Sequence, residues 1–373
     1  MSSQSKIIVL ITGATGYIGA SVLYRLLSFP DAQSRFEFRA IVRDAEKAKK
    51  LAEGFGVKTI VGSHSDKKLM EEEVAQADVI LATADCDDMD AAIATNAGMK
   101  RRYESTGKRP ILVHTSGTAV LVDDALGEYA SDVIWEDENV AQLDSLPPDA
   151  PHRAVELEAL SADQQGYAKT YIVCPSVIYG PARNPLVDAG IANSRTIMFK
   201  LQLPAILKRG YGTIAAGKGE NVWCNVHIDE GEIECQRHAC LVLMSLALPA
   251  TDFYVLLFTS VLEESKHVPH GKEGYFFLGV DEQKSIQYIN EVTRVLFGLG
   301  KVKSLKPTPL TEEEAEQYFG GSAKYLLRAI GGNARCVSNR AKRLGWKPSK
   351  TTKDFLDSIE EEVGFWLKNW SLD

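Results

Sequence analysis

Residues 7–19 of the chain, IIVLITGATGYIG, decide its fold. The apolar run at 7–11 predicts a buried strand, and the periodic apolar residues that follow Gly19 predict a helix. Gly13 permits a tight turn, Gly16 lets a phosphate approach the backbone, and Gly19 lets the helix pack close to the strand. The unpaired N–H groups and the dipole of such a helix start attract an anion. The stretch therefore predicts a pyrophosphate site, and with it a dinucleotide site.

The spacing G-x-x-G-x-x-G alone is weak evidence, because glycine-rich turns are common. A purely structural turn is the alternative interpretation. The strand before the glycines and the helix after them favour nucleotide binding. We expect contacts to the dinucleotide from six residues of this segment: Gly13, Thr15, Gly16, Tyr17, Ile18 and Gly19.

Length and composition indicate an ordinary globular chain. The chain has 373 residues, more than a single hydrophobic core usually organises, so a second lobe is expected. The formal net charge of −8 argues against nucleic acid as a partner. No apolar run is long enough for a bilayer, and residues 1–6 leave no room for a signal-peptide core, so we expect a cytoplasmic protein without a membrane partner. The six cysteines lack metal-ligand spacing, and we expect reduced thiols and no metal site.

Strand-like and helix-like patterns alternate through the first half of the chain. Strand patterns at 36–42, 57–61, 78–83, 110–115 and 170–174 are separated by helical patterns at 45–55, 67–76, 89–106 and 152–164. This alternation predicts an α/β fold, a Rossmann doubly wound parallel sheet with ligands at the carboxyl ends of its strands. We assign 1–178 to a dinucleotide-binding domain and 179–373 mainly to a smaller, interleaved substrate lobe, with 222–232 returning to the Rossmann sheet.

The end of the second predicted strand indicates which dinucleotide binds. Arg43 lies at the position whose side chain distinguishes NAD from NADP in such folds, and a guanidinium there accommodates the 2′-phosphate of NADP. Asp44 follows directly, and a carboxylate at this point can instead bind the ribose of NAD. We favour NADP, and NAD stays open. Ala82 and Thr83, after the fourth strand, leave room for the ribose and pyrophosphate of the cofactor.

Five segments resemble the extended branch of the short-chain dehydrogenase/reductase superfamily, and in particular its NAD-dependent epimerase/dehydratase-like proteins of fungal type. They are residues 13–19, 113–118, 174–181, 226–230 and 344–348, in the order usual for the family. The resemblance implies a nicotinamide cofactor, a nicotinamide-side loop that includes Pro175, and a homodimer as the usual assembly.

The chain departs from the family at its acid/base pair. In the family, a Tyr followed four residues later by Lys exchanges the proton, and a Ser or Thr after the fifth strand orients the substrate oxygen. None of the thirteen tyrosines here has that Lys. At the corresponding positions stand His152 and Glu156, which one helix face would bring together. These two residues are either a substitute acid/base dyad or an ordinary helix start. If they are a dyad, we expect His152 to donate the proton and Ser116 or Thr118 to bind the substrate oxygen.

These observations favour an NAD(P)-dependent oxidoreductase that moves hydride between nicotinamide and a carbonyl or alcohol of a small organic molecule. Two alternatives stay open. One is a catalytically silent NADP-binding sensor or scaffold, which the missing Tyr-Lys pair favours. The other is a sugar-nucleotide epimerase or dehydratase, which normally needs that pair.

Overall fold

The computed structural model describes residues 5–215, 217–229, 249–263 and 267–369. Its strands are β1 (Ile7–Thr12), β2 (Phe36–Val42), β3 (Lys58–Val61), β4 (Val79–Ala82), β5 (Ile111–Thr115), β6 (Trp135–Glu136), β7 (Lys169–Pro175), β8 (Val177–Tyr179), β9 (Thr213–Ile214), β10 (Val222–His227), β11 (Tyr275–Leu278), β12 (Glu282–Lys284), β13 (Thr308–Pro309) and β14 (Cys336–Val337).

The helices alternate with these strands in the first half of the chain. They are α1 (Tyr17–Leu27), α2 (Ala32–Arg35), α3 (Ala45–Phe55), α4 (Lys67–Val74), α5 (Met89–Thr106), α6 (Val140–Asp144), α7 (Arg153–Gln164), α8 (Pro185–Asp188), α9 (Ile197–Arg209), α10 (Ala250–Leu262), α11 (Ser285–Gly298), α12 (Glu312–Phe319), α13 (Ala323–Gly331), α14 (Asn339–Leu344) and α15 (Thr352–Asn369). No helix among the described residues is both long and apolar enough to cross a membrane.

Seven parallel strands form the central sheet, in the order β3-β2-β1-β4-β5-β7-β11. Successive side chains of β1 point to opposite faces, so Val9 and Ile11 join the core under α1 and α10, whereas Leu10 joins the core under α4, α5 and α7. Helices on both faces explain why the strands are nearly continuous apolar runs. The expected doubly wound Rossmann sheet is confirmed.

The strand that returns late to the central sheet is β11, and not the segment 222–232. β11 pairs in parallel with β7 and forms one edge of the sheet. β10 lies instead in a separate sheet, parallel to β8 and antiparallel to β12, because the chain leaves the central sheet directly after β7. Residues 230–232 lie outside the described part of the chain.

The second lobe has its own core between α9, α11 and α15. Tyr288 of α11 and Phe355 of α15 stack there, with ring centroids 5.6 Å apart and planes 11° from parallel. This lobe interleaves with the first one, since β14 pairs with β6 and α14 packs against β11. The interleaving brings the C-terminal part of the chain back to the carboxyl edge of the central sheet.

Candidate functional site

The glycine-rich turn packs directly against the end of β4. Gly13 has φ of +73°, and a Cβ on it would lie 2.5 Å from the carbonyl oxygen of Thr83. A Cβ on Gly19 would overlap the hydroxyl oxygen of Thr83 and the carbonyl oxygen of Gly13. The Thr83 hydroxyl donates a 2.6 Å hydrogen bond to the carbonyl of Thr12, which holds the two strand ends together. Side chains at Gly13 and Gly19 are therefore excluded by sterics.

The start of α1 differs from the helix starts beside it. Asp44, Asp66 and Asp88 cap α3, α4 and α5 through side-chain oxygens, whereas Gly16 at the start of α1 offers no side-chain cap. The N–H groups of the first turn of α1 consequently have no acceptor among the described residues. This is the arrangement that an anion such as a pyrophosphate completes.

The side chain of Tyr17 and the backbone of Thr15 hold the connection to the second lobe. The Tyr17 hydroxyl donates to the carbonyl of Gly180, and the N–H of Asn193 donates a 3.1 Å hydrogen bond to the carbonyl of Thr15. Burial, with the nearby Glu362 carboxylate, raises the pKa of Tyr17 well above its usual value, so the phenol stays neutral. The Tyr17 hydroxyl is thus already used within the protein.

Arg43 and Asp44 have separate roles at the end of β2. The Asp44 carboxylate accepts hydrogen bonds from the N–H groups of Glu46 (2.9 Å) and Lys47 (3.0 Å), so it is committed to capping α3. Arg43 is exposed and makes no hydrogen bond or ion pair with any described residue. The guanidinium is therefore available at the point where the sequence predicts the adenosine end of the cofactor.

Ser116 and Thr118 lie where expected, beyond β5. However, each hydroxyl already donates a hydrogen bond to another group of the protein. The Ser116 Oγ donates a 2.6 Å hydrogen bond to Oε1 of Glu156. The Thr118 Oγ1 donates to Ser176 Oγ at 3.0 Å, and Thr118 is 1% exposed. Neither hydroxyl can donate to a substrate oxygen without giving up a buried hydrogen bond.

His152 stands directly before α7 with φ of +65°, a left-handed conformation that is rare outside glycine. Its Nδ1 lies 2.7 Å from Asp87 Oδ1 and 3.4 Å from Cys86 Sγ. Burial lowers the pKa of His152, but the hydrogen bonds and charges of Asp87 and Cys86 outweigh it and raise the pKa to about 10. His152 is therefore an imidazolium at neutral pH.

Of the two interpretations left open for His152 and Glu156, the dyad is not formed, because the carboxylate that pairs with His152 is Asp87. The second ring nitrogen of His152 is directed at the end of the central sheet. A Cβ on Gly117 would lie 3.3 Å from Nε2 and 3.8 Å from the carbonyl oxygen of Pro175. Among the described residues, none forms a hydrogen bond with Nε2. This atom is therefore free to form a hydrogen bond with a ligand.

Glu156 belongs instead to a buried network. It is 0% exposed and accepts hydrogen bonds from the Tyr275 hydroxyl at 2.9 Å and from Arg153 Nη1 at 3.3 Å, besides that from Ser116. Arg153, 3% exposed, also donates to the Tyr275 hydroxyl at 2.7 Å. The carboxylate thus accepts hydrogen bonds from three side chains of the protein and ties α7 to β11.

The loop after β4 supplies site residues that the sequence patterns did not identify. Cys86 and Asp87 contact His152, although more than sixty residues separate them from it in the sequence. The Tyr325 hydroxyl of α13 lies 3.5 Å from Asp87 Oδ2. Donor atoms of Cys86, Asp87 and His152 all lie within 4.8 Å of one another, close enough to bind one metal ion. The hydrogen bond between Asp87 and His152 accounts for the arrangement without such an ion. The acidic run at 85–88 was the only signal in the sequence.

A cavity opens beside this cluster, between the central sheet and helices α5 and α7. Its lining includes Cys86, Ala84, Ala92 and Val155, together with His114. His114 is 7% exposed, and its buried Nε2 has no hydrogen-bond partner among the described residues. Burial and the charge of His152 lower the pKa of His114 to about 4, so its imidazole is neutral.

Comparisons with known proteins bear on the fold of the chain. Residues 4–99 match the model of the NmrA-like family. The chain is 26% identical over 359 residues to the oxidase ucsJ of Acremonium sp., an alignment that covers 91% of this chain and 92% of that protein.

Two solved structures illustrate the fold. The dTDP-glucose 4,6-dehydratase of Bacillus anthracis, solved with NAD, superposes with a TM-score of 0.59 at 14% identity and covers 98% of both chains. The UDP-glucose 4-epimerase of Thermotoga maritima, solved with UDP-glucose, gives 0.56 at 15% identity, over 97% of this chain and 99% of that one. The chain has the fold of the extended short-chain dehydrogenases/reductases.

Proposed function

We propose that this chain is an NADP-dependent oxidoreductase that reduces the carbonyl group of a small organic molecule, with His152 as the proton donor. One observation carries the proposal. An imidazolium held by Asp87 stands at the carboxyl edge of the central sheet, with its free Nε2 directed at Gly117 and Pro175. This is the position that corresponds to the acid/base Tyr of the resembling family.

The glycine-rich turn and the uncapped start of α1 support the cofactor part of the proposal. The N–H groups of Tyr17, Ile18 and Gly19 would hold the pyrophosphate, and Arg43 would pair with the 2′-phosphate. Ala82, Thr83 and Pro175, at the ends of β4 and β7, would border the nicotinamide half. When bound, the nicotinamide supplies the hydride.

The protein's own part in the reaction is to bind and protonate the substrate oxygen. His152 Nε2 donates a hydrogen bond to the carbonyl oxygen and transfers its proton as negative charge develops there. Asp87 stays ionised and stabilises the imidazolium until that transfer. We assign oxygen binding to His152 alone, because Ser116 and Thr118 already donate their protons within the protein.

A second candidate function is NADP binding without turnover. The observation that favours it is Glu156, which stands at the family's Lys position and is completely enclosed by protein groups. A carboxylate there cannot supply the cation that the family uses at the nicotinamide ribose. Binding of NADPH without any carbonyl-dependent oxidation of it would support this candidate.

Replacing Arg43 with alanine tests the cofactor. A guanidinium that pairs with a phosphate contributes about 1.5–3 kcal/mol, so we expect the Kd for NADPH to rise roughly 10- to 100-fold. The Kd for NADH should stay nearly unchanged, since NADH has no 2′-phosphate. Calorimetric titration of both nucleotides into both proteins measures this.

Lys49→Ala is the matched control, because Lys49 is an exposed cation on α3 that forms no ion pair with any described residue. It should change neither affinity by more than about twofold, as expected of an exposed surface charge. Equal weakening of NADPH and NADH by Arg43→Ala would contradict the NADP assignment. Failure of the unmodified protein to bind either nucleotide would contradict the oxidoreductase proposal itself.

Replacing Asp87 with asparagine should change the pH dependence of carbonyl reduction. Proton donation needs the protonated form of His152, so kcat/KM in the unmodified protein should hold from neutral pH upward and fall near pH 10. Without the Asp87 charge, the pKa of His152 should move toward its ordinary value of about 6.5. At pH about 8.5, roughly one His152 in a hundred would then keep its proton.

The measurement is kcat/KM for one carbonyl substrate between acid and alkaline pH in both proteins. Cys86 and Tyr325 also contact this pair of residues, so Tyr325→Phe is the control for loss of a neighbouring polar group. It should leave the alkaline limb near pH 10. An Asp87→Asn profile with the same alkaline limb as the unmodified protein would contradict the role of Asp87.

A further inference from the structure

Two buried thiols from distant parts of the chain meet beside Gly279. Cys224 of β10 is 1% exposed, and Cys336 of β14 is 5% exposed. The Cys224 sulfur lies 3.5 Å from the carbonyl oxygen of Cys336, and the Cys336 thiol donates a hydrogen bond to that sulfur. A Cβ on Gly279 would lie 3.1 Å from the Cys336 sulfur and 3.3 Å from the Cys224 sulfur. Both sulfurs therefore border the same point.

Gly279 supplies the space in which the two sulfurs meet. Its φ is not positive, so its backbone conformation does not require glycine. The Ser338 hydroxyl holds it in place, with 3.0 Å hydrogen bonds to both its N–H and its carbonyl. A Cβ at this position would lie 2.7 Å from the Cβ of Cys224, closer than two carbon atoms can pack. The missing side chain is thus a condition for the contact between the thiols.

The backbone spacing at this point suits a disulfide. Trp223 pairs in parallel with Ala334, whose N–H donates a 2.9 Å hydrogen bond to the carbonyl of Val222. Cys224 directly follows the first residue of this pair, and Cys336 comes two positions after the second. The usual strand spacing and rise per residue then place their Cα atoms about 6 Å apart. Disulfides join Cα atoms that are about 4.4–6.8 Å apart, so this pair can be bridged with little backbone movement.

We propose that Cys224 and Cys336 are a modification site, at which oxidation by a peroxide forms a reversible disulfide between β10 and β14. The proposal goes beyond the reduction of a carbonyl group, since it needs neither nucleotide nor substrate. The bridge would join positions 112 residues apart. Closing so long a loop restricts the unfolded chain strongly, so the disulfide should stabilise the folded protein.

The step is balanced with hydrogen peroxide as the oxidant. The Cys224 thiolate attacks one peroxide oxygen and the O–O bond breaks; the departing hydroxide takes the proton that the thiol lost, which yields a sulfenic acid and water. The Cys336 sulfur then attacks the sulfenic sulfur, and the hydroxyl group leaves as water with the Cys336 proton. Two thiols thereby lose two electrons, and the peroxide is reduced to two water molecules. Cys224 is the thiol that reacts first, because the hydrogen bond from Cys336 lowers its pKa.

Peptide mapping by mass spectrometry after treatment with hydrogen peroxide tests the proposal. The folded protein is oxidised without nucleotide, free thiols are blocked with N-ethylmaleimide, and the digest is compared with and without dithiothreitol. Oxidation is followed over hours, because entry to a buried pair needs local opening of the fold. We expect linked peptides that contain Cys224 and Cys336 and that dithiothreitol separates. The Tm should rise by roughly 5 °C on oxidation and return on reduction.

Three serine variants control the experiment. Cys224→Ser and Cys336→Ser should each abolish both the linked peptides and the rise in Tm. Cys86→Ser should keep both, since Cys86 forms no hydrogen bond with another described cysteine. Three results would each overturn the proposal: recovery of both cysteines without a bridge after oxidation, a bridge from either one to a different cysteine, or a bridge that leaves the Tm unchanged. Because no nucleotide is present, these outcomes are independent of whether the chain binds NADP.

Discussion

His152→Asn should lower the turnover of carbonyl substrates by about 10²- to 10⁴-fold, the usual contribution of a positioned general acid. The asparagine amide can still donate a hydrogen bond to the substrate oxygen, but it cannot transfer a proton. The left-handed backbone at this position makes alanine a poorer choice, because strain would add to the loss of the acid. The measurement is kcat for NADPH oxidation over a panel of aldehydes and ketones, with NADPH affinity measured in parallel.

The matched control is His270→Asn. His270 also pairs with a carboxylate, at 2.6 Å from Asp163, but it lies beyond the opposite end of α7. This variant should keep turnover within about twofold, since surface changes away from a site are nearly neutral. Unchanged turnover in His152→Asn would remove His152 from the mechanism, and lost NADPH affinity would show that its role is structural.

Glu156→Ala should lower the free energy of unfolding by about 3–5 kcal/mol, which is the usual result of removing one partner from a buried ion pair. The change leaves the Arg153 guanidinium without a counter-charge in a position that is 3% exposed. It also removes the acceptor of the buried Ser116 and Tyr275 hydroxyls. Urea denaturation of the variant and of the unmodified protein measures the difference.

Two further variants sharpen that experiment. Glu156→Gln keeps the shape and one acceptor oxygen but not the charge, so its loss should be smaller than that of Glu156→Ala. Glu104→Ala, at an exposed position of α5, should change stability by no more than about 0.5 kcal/mol. A Glu156→Ala protein as stable as Glu104→Ala would mean that the network contributes nothing to the fold.

The spacing of residues that are close in the sequence was enough to predict helices, strands and the glycine-rich turn. The helix α5 over Met89–Thr106 and the strand β2 over Phe36–Val42 have the bounds that periodicity predicted. These segments bury one or two well-defined faces, and burial of a face leaves a regular spacing in the sequence. The glycine-rich turn followed from the same kind of evidence, because its backbone conformation excludes side chains at specific positions.

Residue spacing could not predict which side chains or strands pair when they are far apart in the sequence. A pair of His152 and Glu156 was one of two interpretations, because they are four residues apart in a predicted helix. His152 precedes α7 in a left-handed conformation, so its ring turns toward Asp87, while Glu156 points into the core. The same limit applied to the sheet, where β11 and not 222–232 took the free edge. Several strands compete for such an edge, and only the packed structure selects one.

The sequence by itself determined a Rossmann sheet with a glycine-rich turn at its first strand. Strand burial and backbone sterics act on neighbouring residues, so they are visible as a regular spacing of apolar residues and glycines. Only the tertiary structure decided which side chains meet at the carboxyl edge. There it joined the loop after β4 to the start of α7 and set Asp87 and Cys86 against His152. Those contacts, set by the folding of distant segments onto one sheet, determine which nitrogen of His152 is left free to act.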